Sequence, residues 1–277
     1  MENRRLAGKT AWVTGSSRGI GRAIAAHLAS RGARIVLHGS AAAAPKVAGA
    51  ERSLPEIADE IRAAHDVEVA HVYGDLSRPD VVKTLVARIG ERFGGIDILV
   101  NNAGGDIGVK GVASPNAGKP ERNDAVFIGE EDLRMILDRN LMTCIFACRE
   151  TVPGMIERKR GWIVNIGSVD GVVGNAERAI YSTAKAAIHE YTRCLAAMLR
   201  PHGVYANVVA PGGTMSERFK ASRPIDETRV APVGGSLERY GYMEEIAQAV
   251  EFLVSEASSY ITGQVLRVDG GSQLWPA

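Results

Sequence analysis

Aromatic side chains are scarce in this 277-residue chain, at 5% of positions, too few for a base-stacking platform along single-stranded nucleic acid. An excess of one charge is also missing. Thirty-three Lys and Arg balance 32 Asp and Glu, a formal charge of +1, so net charge gives no footprint for a polyanion. Cysteine occurs only at Cys144, Cys148 and Cys194, without CxxC spacing. Cys144 and Cys148 share a helix face, but no His stands at ligand spacing from them, so no metal site is expected. All three read as small buried hydrophobes in a reducing compartment. No run approaches the ~18 apolar residues of a membrane span. The opening MENRRLAGKTAWVTG lacks the uninterrupted apolar stretch of a secretory signal. The expectation is a soluble, cytoplasmic protein with no nucleic-acid or membrane partner. A GxSxG hydrolase elbow is absent around Gly167-Ser168, and none of the six His forms an HExxH pair.

What is present is alternation. Apolar strands are expected at Lys9–Thr14, Arg34–His38, Val67–Tyr73, Ile96–Asn101, Trp162–Ile166, Val204–Ala210 and Val265–Val268. Helical spacing marks Arg18–Ser30, Arg78–Phe93, Glu130–Lys159, Tyr181–Arg200 and Met243–Ser255, with Pro153 a kink or break in the third of these. Strand–helix alternation, and the nearly continuous apolar run IDILVN, predict a doubly wound parallel α/β sheet with helices on both faces. Right-handed crossovers gather the strand C-termini along one edge, where ligands bind. The chain reads as a single domain, residues 1–277, with insertions near 41–54 and 106–129. The second insertion is long enough to have a function of its own, as a substrate lid or an oligomer contact.

TGSSRGIG, from Thr14 to Gly21, follows a strand and opens a helix. In that context the glycines have physical roles. Gly15 permits a sharp turn, Gly19 a close approach of a pyrophosphate, and Gly21 tight packing of helix on sheet. Free N–H groups and the positive end of the helix dipole face the phosphates. Gly15, Ser17, Arg18, Gly19, Ile20 and Gly21 are therefore candidate cofactor contacts. The spacing is neither GxGxxG nor that of a P-loop.

From this turn onward the chain resembles the short-chain dehydrogenase/reductase family. Asp75-Leu76 follows the third strand; Asn101-Asn102-Ala103-Gly104 ends the fourth. Tyr181 and Lys185 form a YxxxK motif, and Ser168 lies thirteen residues before the tyrosine. Asn140 falls in the helix after NNAG. Pro211-Gly212 with Thr214 matches a PG motif, and Tyr260–Gly263 and Val268–Gly271 match a C-terminal signature. The resemblance implies a Rossmann fold, a homotetramer, and interconversion of a ketone and a secondary alcohol by hydride transfer. It implies Asn140, Ser168, Tyr181 and Lys185 as catalytic residues. It adds Asp75, Leu76, Asn102, Ala103, Gly104, Pro211, Gly212 and Thr214, with Tyr181 and Lys185 themselves, to the cofactor contacts.

The chemistry is consistent. Tyr181 and Lys185 are one helical turn apart on the same face. A lysine ammonium, with an oxidised nicotinamide ring, is expected to lower the tyrosine from its ordinary value of about 10 and make it a general acid and base. Ser168 would bond the developing oxyanion, and Asn140 would hold a water that links Lys185 to solvent. The second strand ends His38-Gly39-Ser40, three further candidate cofactor contacts, with no acid for a ribose 2′-hydroxyl until Glu51. Arg18 offers a charge-assisted partner for a 2′-phosphate. NADP is favoured and NAD left open. Substrate contacts are expected from Ser168, Asp170, Asn175 and Tyr181, the two middle ones suggesting a polar ketone. Within the family the chain is similar to the 3-oxoacyl-carrier-protein reductases, which gives an alternative function, and Lys159, Arg160, Arg178 and Arg200 are available to line a rim for a carrier protein. A non-catalytic dinucleotide sensor or scaffold is the alternative from another class.

Overall fold

A computed structural model describes residues 4–41, 52–230 and 233–274. Seven strands form one wholly parallel sheet: β1 Thr10–Val13, β2 Arg34–Gly39, β3 Val69–Tyr73, β4 Ile98–Asn101, β5 Gly161–Ile166, β6 Val204–Pro211 and β7 Val265–Val268. Their order is β3-β2-β1-β4-β5-β6-β7, so the winding reverses between β1 and β4. In such a sheet the loops diverge at the reversal and open a crevice beyond the strand C-termini.

The helices are α1 Gly19–Ser30, α2 Leu54–His65, α3 Pro79–Phe93, α4 Glu130–Leu137, α5 Thr143–Glu157, α6 Ala179–Leu199, α7 Glu217–Ala221 and α8 Met243–Leu253. Period-two alternation of the strands sorts the core into two layers. Ala11, Val13, Ile35, Leu37, Ile98 and Val100 face α1, α2 and α8. Trp12, Val36, Leu99 and Ile163 face α3, α5 and α6. Both sheet faces are thereby dry, as the apolar run in β4 required.

Two elements differ from the sequence expectation. The helical stretch from Glu130 does not break at Pro153, which lies inside α5. Pro153 and Arg149, whose carbonyl loses its helical N–H partner, are both exposed, so the freed group is open to water. The irregularity lies earlier, as a π turn over Asp138–Met142 centred on Asn140. Helix α2 was not anticipated. Its signal was local: Ser53 and Glu56 form a capping box, with Ser53 accepting from the Glu56 N–H and Pro55 in the first turn. Most of the 41–54 insertion, residues 42–51, lies outside the described residues.

The 106–129 insertion adds no strand or α-helix. It folds on its own small core of Ile107, Val112 and Ala117. The Asn123 amide donates to both carboxylate oxygens of Asp106 at 2.9 Å, tying the two ends of the loop. The Gly108 N–H to Gly118 carbonyl bond, 2.9 Å, closes its middle.

Ser53→Ala removes the cap of α2, so equilibrium urea unfolding is expected to show a loss of about 1 kcal/mol, with the m-value unchanged.

Candidate active site

A cleft of about 710 Å³ opens at the C-terminal edge of the sheet, over the reversal between β1 and β4. Every residue expected to contact the cofactor lines it: the glycine turn, His38 to Ser40, Asp75-Leu76, Asn102 to Gly104, Tyr181, Lys185, and Pro211, Gly212 and Thr214.

The floor is tied by side chains. Asn102 donates its amide to the carbonyls of Thr14 and Gly15, at 3.0 Å each. The Thr14 hydroxyl accepts the N–H groups of Asn102 and Ala103 at 2.9 and 3.0 Å. A Cβ on Gly21 would lie 2.4 Å from both the Asn102 amide and the Gly15 carbonyl. Glycine there serves close packing, as the motif implied. Gly15 and Gly19 take positive φ of 62° and 56°, which side-chained residues rarely adopt.

His38 is buried and neutral. Its Nδ1 accepts the Gly15 N–H at 3.1 Å, which leaves Nε2 to donate to the Gly74 carbonyl at 3.0 Å. Burial is the largest influence on the ring and lowers its pKa to about 4. The imidazole is thus engaged in holding the turn against β2 and β3. Arg18 stands at the N-terminus of α1 on the cleft wall, its pKa lowered by burial with Glu217 opposing.

Within the cleft, the Ser168 hydroxyl lies within hydrogen-bonding reach of the Tyr181 phenol. The Ser168 oxygen accepts the Asp170 N–H at 3.1 Å, which leaves its own proton to donate. The Lys185 ammonium lies 5.6 Å from the centre of the Tyr181 ring and donates to the Ile166 carbonyl at 2.8 Å. Burial lowers Lys185 to about 8. The expected lowering of Tyr181 is not produced by the chain's own groups. Burial raises its pKa, and Asp170 adds to this, against the Ser168 hydroxyl and the Arg218 guanidinium. The desolvation of a phenolate in the cleft outweighs the nearby positive charge.

Asn140 stands beside the cleft rather than on its lining. Its carbonyl oxygen accepts the Gly105 N–H at 2.9 Å, and its amide donates to the Gly105 and Ile136 carbonyls at 3.0 and 2.8 Å. The wide π turn presents it there, a common use of such turns at functional sites. A Cβ on Gly104 would lie 2.6 Å from the Asn140 oxygen, so glycine admits the contact. Asp170 lines the cleft, paired with Arg178 at 2.8 Å. Asn175 is not on the lining, and its side chain accepts the Glu177 N–H in a local turn.

The carrier-protein rim is differently placed from the expectation. Lys159 and Arg160 precede β5 and Arg200 precedes β6, so they sit at the opposite, N-terminal edge of the sheet, where Arg160 pairs with Asp97. Only Arg178 reaches the cleft. Arg218 and Arg223, neither singled out by the sequence, line the cleft from α7 and the turn after it. Two basic residues in a polar loop gave no periodic signal; their meaning came from the fold.

A doubly wound sheet, a glycine turn at its reversal, and a Tyr–Lys pair facing that turn define a dinucleotide-dependent oxidoreductase. The short chain dehydrogenase profile matches residues 9–226, and the chain belongs to that family. It is a nicotinamide-dinucleotide-dependent oxidoreductase acting on CH–OH and keto groups, which sets the non-catalytic alternative aside. It is 35% identical over 271 residues to the 3-oxoacyl-(acyl-carrier-protein) reductase FabG of Vibrio cholerae, covering 96% of this chain and 98% of the relative. The reductase of the same name from Aquifex aeolicus is also 35% identical, over 276 residues, covering 96% and 98%. Among solved structures, a candidate gluconate dehydrogenase from Agrobacterium tumefaciens superposes with a TM-score of 0.79 at 32% identity, covering 98% of each chain. Levodione reductase superposes with a TM-score of 0.79 at 26% identity, covering 96% of this chain and 98% of that one. Among the described residues no helix is long and apolar enough to cross a membrane, and no cluster of metal-ligating side chains occurs.

Gly21→Ala is expected to weaken dinucleotide binding by about tenfold or more, because the new methyl group meets backbone that cannot move aside. Fluorescence titration with reduced cofactor reads this.

Proposed function

We propose that Tyr181 is the general acid and base of a ketone reduction, with Ser168 and Lys185 beside it and NADPH as reductant. The observation that carries this reading is the neutral phenol, enclosed in the cleft and one helical turn from a buried ammonium. A tyrosine held as phenol is a proton donor, which favours the reductive direction.

The residues present fit a dinucleotide. The glycine turn leaves room where a Cβ would close it, and the α1 N–H groups suit a pyrophosphate. When bound, the nicotinamide supplies the hydride. Lys185 and the Pro211–Thr214 turn would hold its ribose and ring side, and Asp75-Leu76 the adenine side. Arg18 would meet the 2′-phosphate; His38 contributes by holding the turn, with Gly39 and Ser40 at the edge. In the reaction, the Ser168 hydroxyl donates a hydrogen bond to the carbonyl oxygen as negative charge builds there. Tyr181 passes its proton to the same oxygen, completing the alcohol. Lys185 then faces a phenolate, which its charge stabilises until Tyr181 is reprotonated. Asn140, clamped to Gly105, positions the strand-end loop, and the water it was expected to hold would lie on the way to Lys185.

The 106–129 loop walls the cleft through Asp106, Ile107 and Val112, which supports its role as a substrate lid. The whole chain acts as one dinucleotide-binding and catalytic domain. Buried free Cys144 and Cys148 fit a reducing cytoplasm. The homotetramer rests on family likeness. A 3-oxoacyl thioester is the second reading of the substrate, favoured by the names of the curated relatives.

Tyr181→Phe is expected to lower turnover of reducible ketones by about 10²–10⁴-fold, with cofactor affinity retained; unchanged turnover would sink the assignment. In the wild type, kcat/KM for reduction should fall as pH rises through about 8, where Lys185 loses its charge. Lys185→Arg should shift that fall upward. Arg18→Ala should cut the kcat/KM preference for NADPH over NADH by about tenfold, the readout being the ratio for one ketone.

A further inference from the structure

One corner of the cleft carries positive charge that the reduction chemistry does not use. Arg178, Arg218 and Arg223 line it around Tyr181, and Lys119 reaches in from the insertion to donate to the Ser222 carbonyl at 3.1 Å. The two acids in this corner are largely taken. Asp170 pairs with Arg178 at 2.8 Å. Both oxygens of Asp106 accept the Asn123 amide. Arg218 reaches only the main-chain oxygen of Asp106, at 2.6 Å, and its Nε is enclosed without a partner. The Arg223 guanidinium lies over the Phe219 ring, 4.2 Å from its centre, and its Nε meets only the Ser222 hydroxyl at 3.4 Å. Among the described residues no carboxylate forms a salt bridge with Arg218, Arg223 or Lys119.

Cations crowded in this way repel one another. Arg223 and Arg178 both depress Lys119, after burial, and Arg223 depresses Arg218. Burial raises Asp106 above its ordinary value, against the Asn123 amide and the nearby cations. Enclosed charge without a partner is costly, and a guanidinium fork matches a planar carboxylate with two parallel bonds. The corner adjoins the phenol, so an anion seated there belongs to the molecule whose carbonyl faces Tyr181.

We propose that Arg218 and Arg223, backed by Lys119 and Arg178, bind a carboxylate of the substrate, so that the natural substrate is a keto acid and its hydroxy acid. The inference rests on the reading of this cleft as the site of ketone reduction, and it narrows the substrate away from a neutral thioester. A short chain, rather than a carrier arm, would link the carboxylate to the reacting carbon.

The test separates binding from chemistry. Wild-type protein saturated with oxidised cofactor, which cannot reduce the probes, is titrated by calorimetry with 3-oxobutanoate, 4-oxopentanoate and 5-oxohexanoate, each against its methyl ester. At least one acid is expected to bind about tenfold or more tightly than its ester. That preference should largely disappear in Arg223→Gln and partly return in Arg223→Lys, with the far-ultraviolet spectrum of each variant unchanged. Arg218→Lys should reduce it as well, because a point charge replaces the fork. Equal binding of acid and ester, binding of neither at about 10 mM, or a preference that survives Arg223→Gln overturns the proposal. Turnover with reduced cofactor is measured separately. Acid-selective binding without turnover supports the anion site and counts against the ketone-reduction reading alone.

Discussion

The amide of Asn102, shared between the carbonyls of Thr14 and Gly15, ties together the ends of β1 and β4. These are the two strands between which the winding reverses. Had they been left to diverge, the glycine turn would have no fixed relation to the rest of the edge. The Thr14 hydroxyl repeats the tie from the other side, and His38 extends it to β2 and β3. Each of these groups is polar and mostly enclosed, so each bond also removes a desolvation cost. Gly21 is the steric condition for all of it, since a single methyl group there would meet both partners of the tie.

On this floor the side chains gathered at the cleft come from elements distant in the chain. Ser168 follows β5, Tyr181 and Lys185 come from α6, and Arg218 from the short helix after β6. Enclosure then decides their protonation. It pushes the phenol up and the ammonium down, which sets the lysine below the tyrosine and keeps the phenol neutral, with the lysine charged below about pH 8. Asn140 contributes at one remove. The π turn swings it to Gly105, and Gly104 is bare enough to let it close. The 106–129 loop begins directly after this clamp, so the clamp also sets where the cleft wall starts.

Much of this was legible beforehand. The strand positions held to within a few residues because fully buried parallel strands are apolar on both faces, as in Ile98–Asn101. The glycine turn was legible because its physics is local to eight residues. Tyr181 and Lys185 were legible as a pair because helical geometry places fourth neighbours on one face. Helix α2 was missed although Ser53, Pro55 and Glu56 mark its start, because the alanine-rich stretch before it reads as one insertion running through Leu54. The kink or break expected at Pro153 is not a helix end, because Pro153 and Arg149 lie on the exposed side of α5, where the lost bond is open to water.

Local pattern in the chain was thus enough for the fold class, the glycine turn and the pairing of Tyr181 with Lys185, since each depends on neighbours within a turn or a strand. The tertiary structure alone decided the rest. It removed Lys159, Arg160 and Arg200 to the far edge of the sheet, turned Asn140 into a clamp, and raised Tyr181. It also brought Arg178, Arg218 and Arg223 around one phenol. Those outcomes depend on burial and on distances between residues far apart in the chain, and neither quantity exists until the sheet has closed.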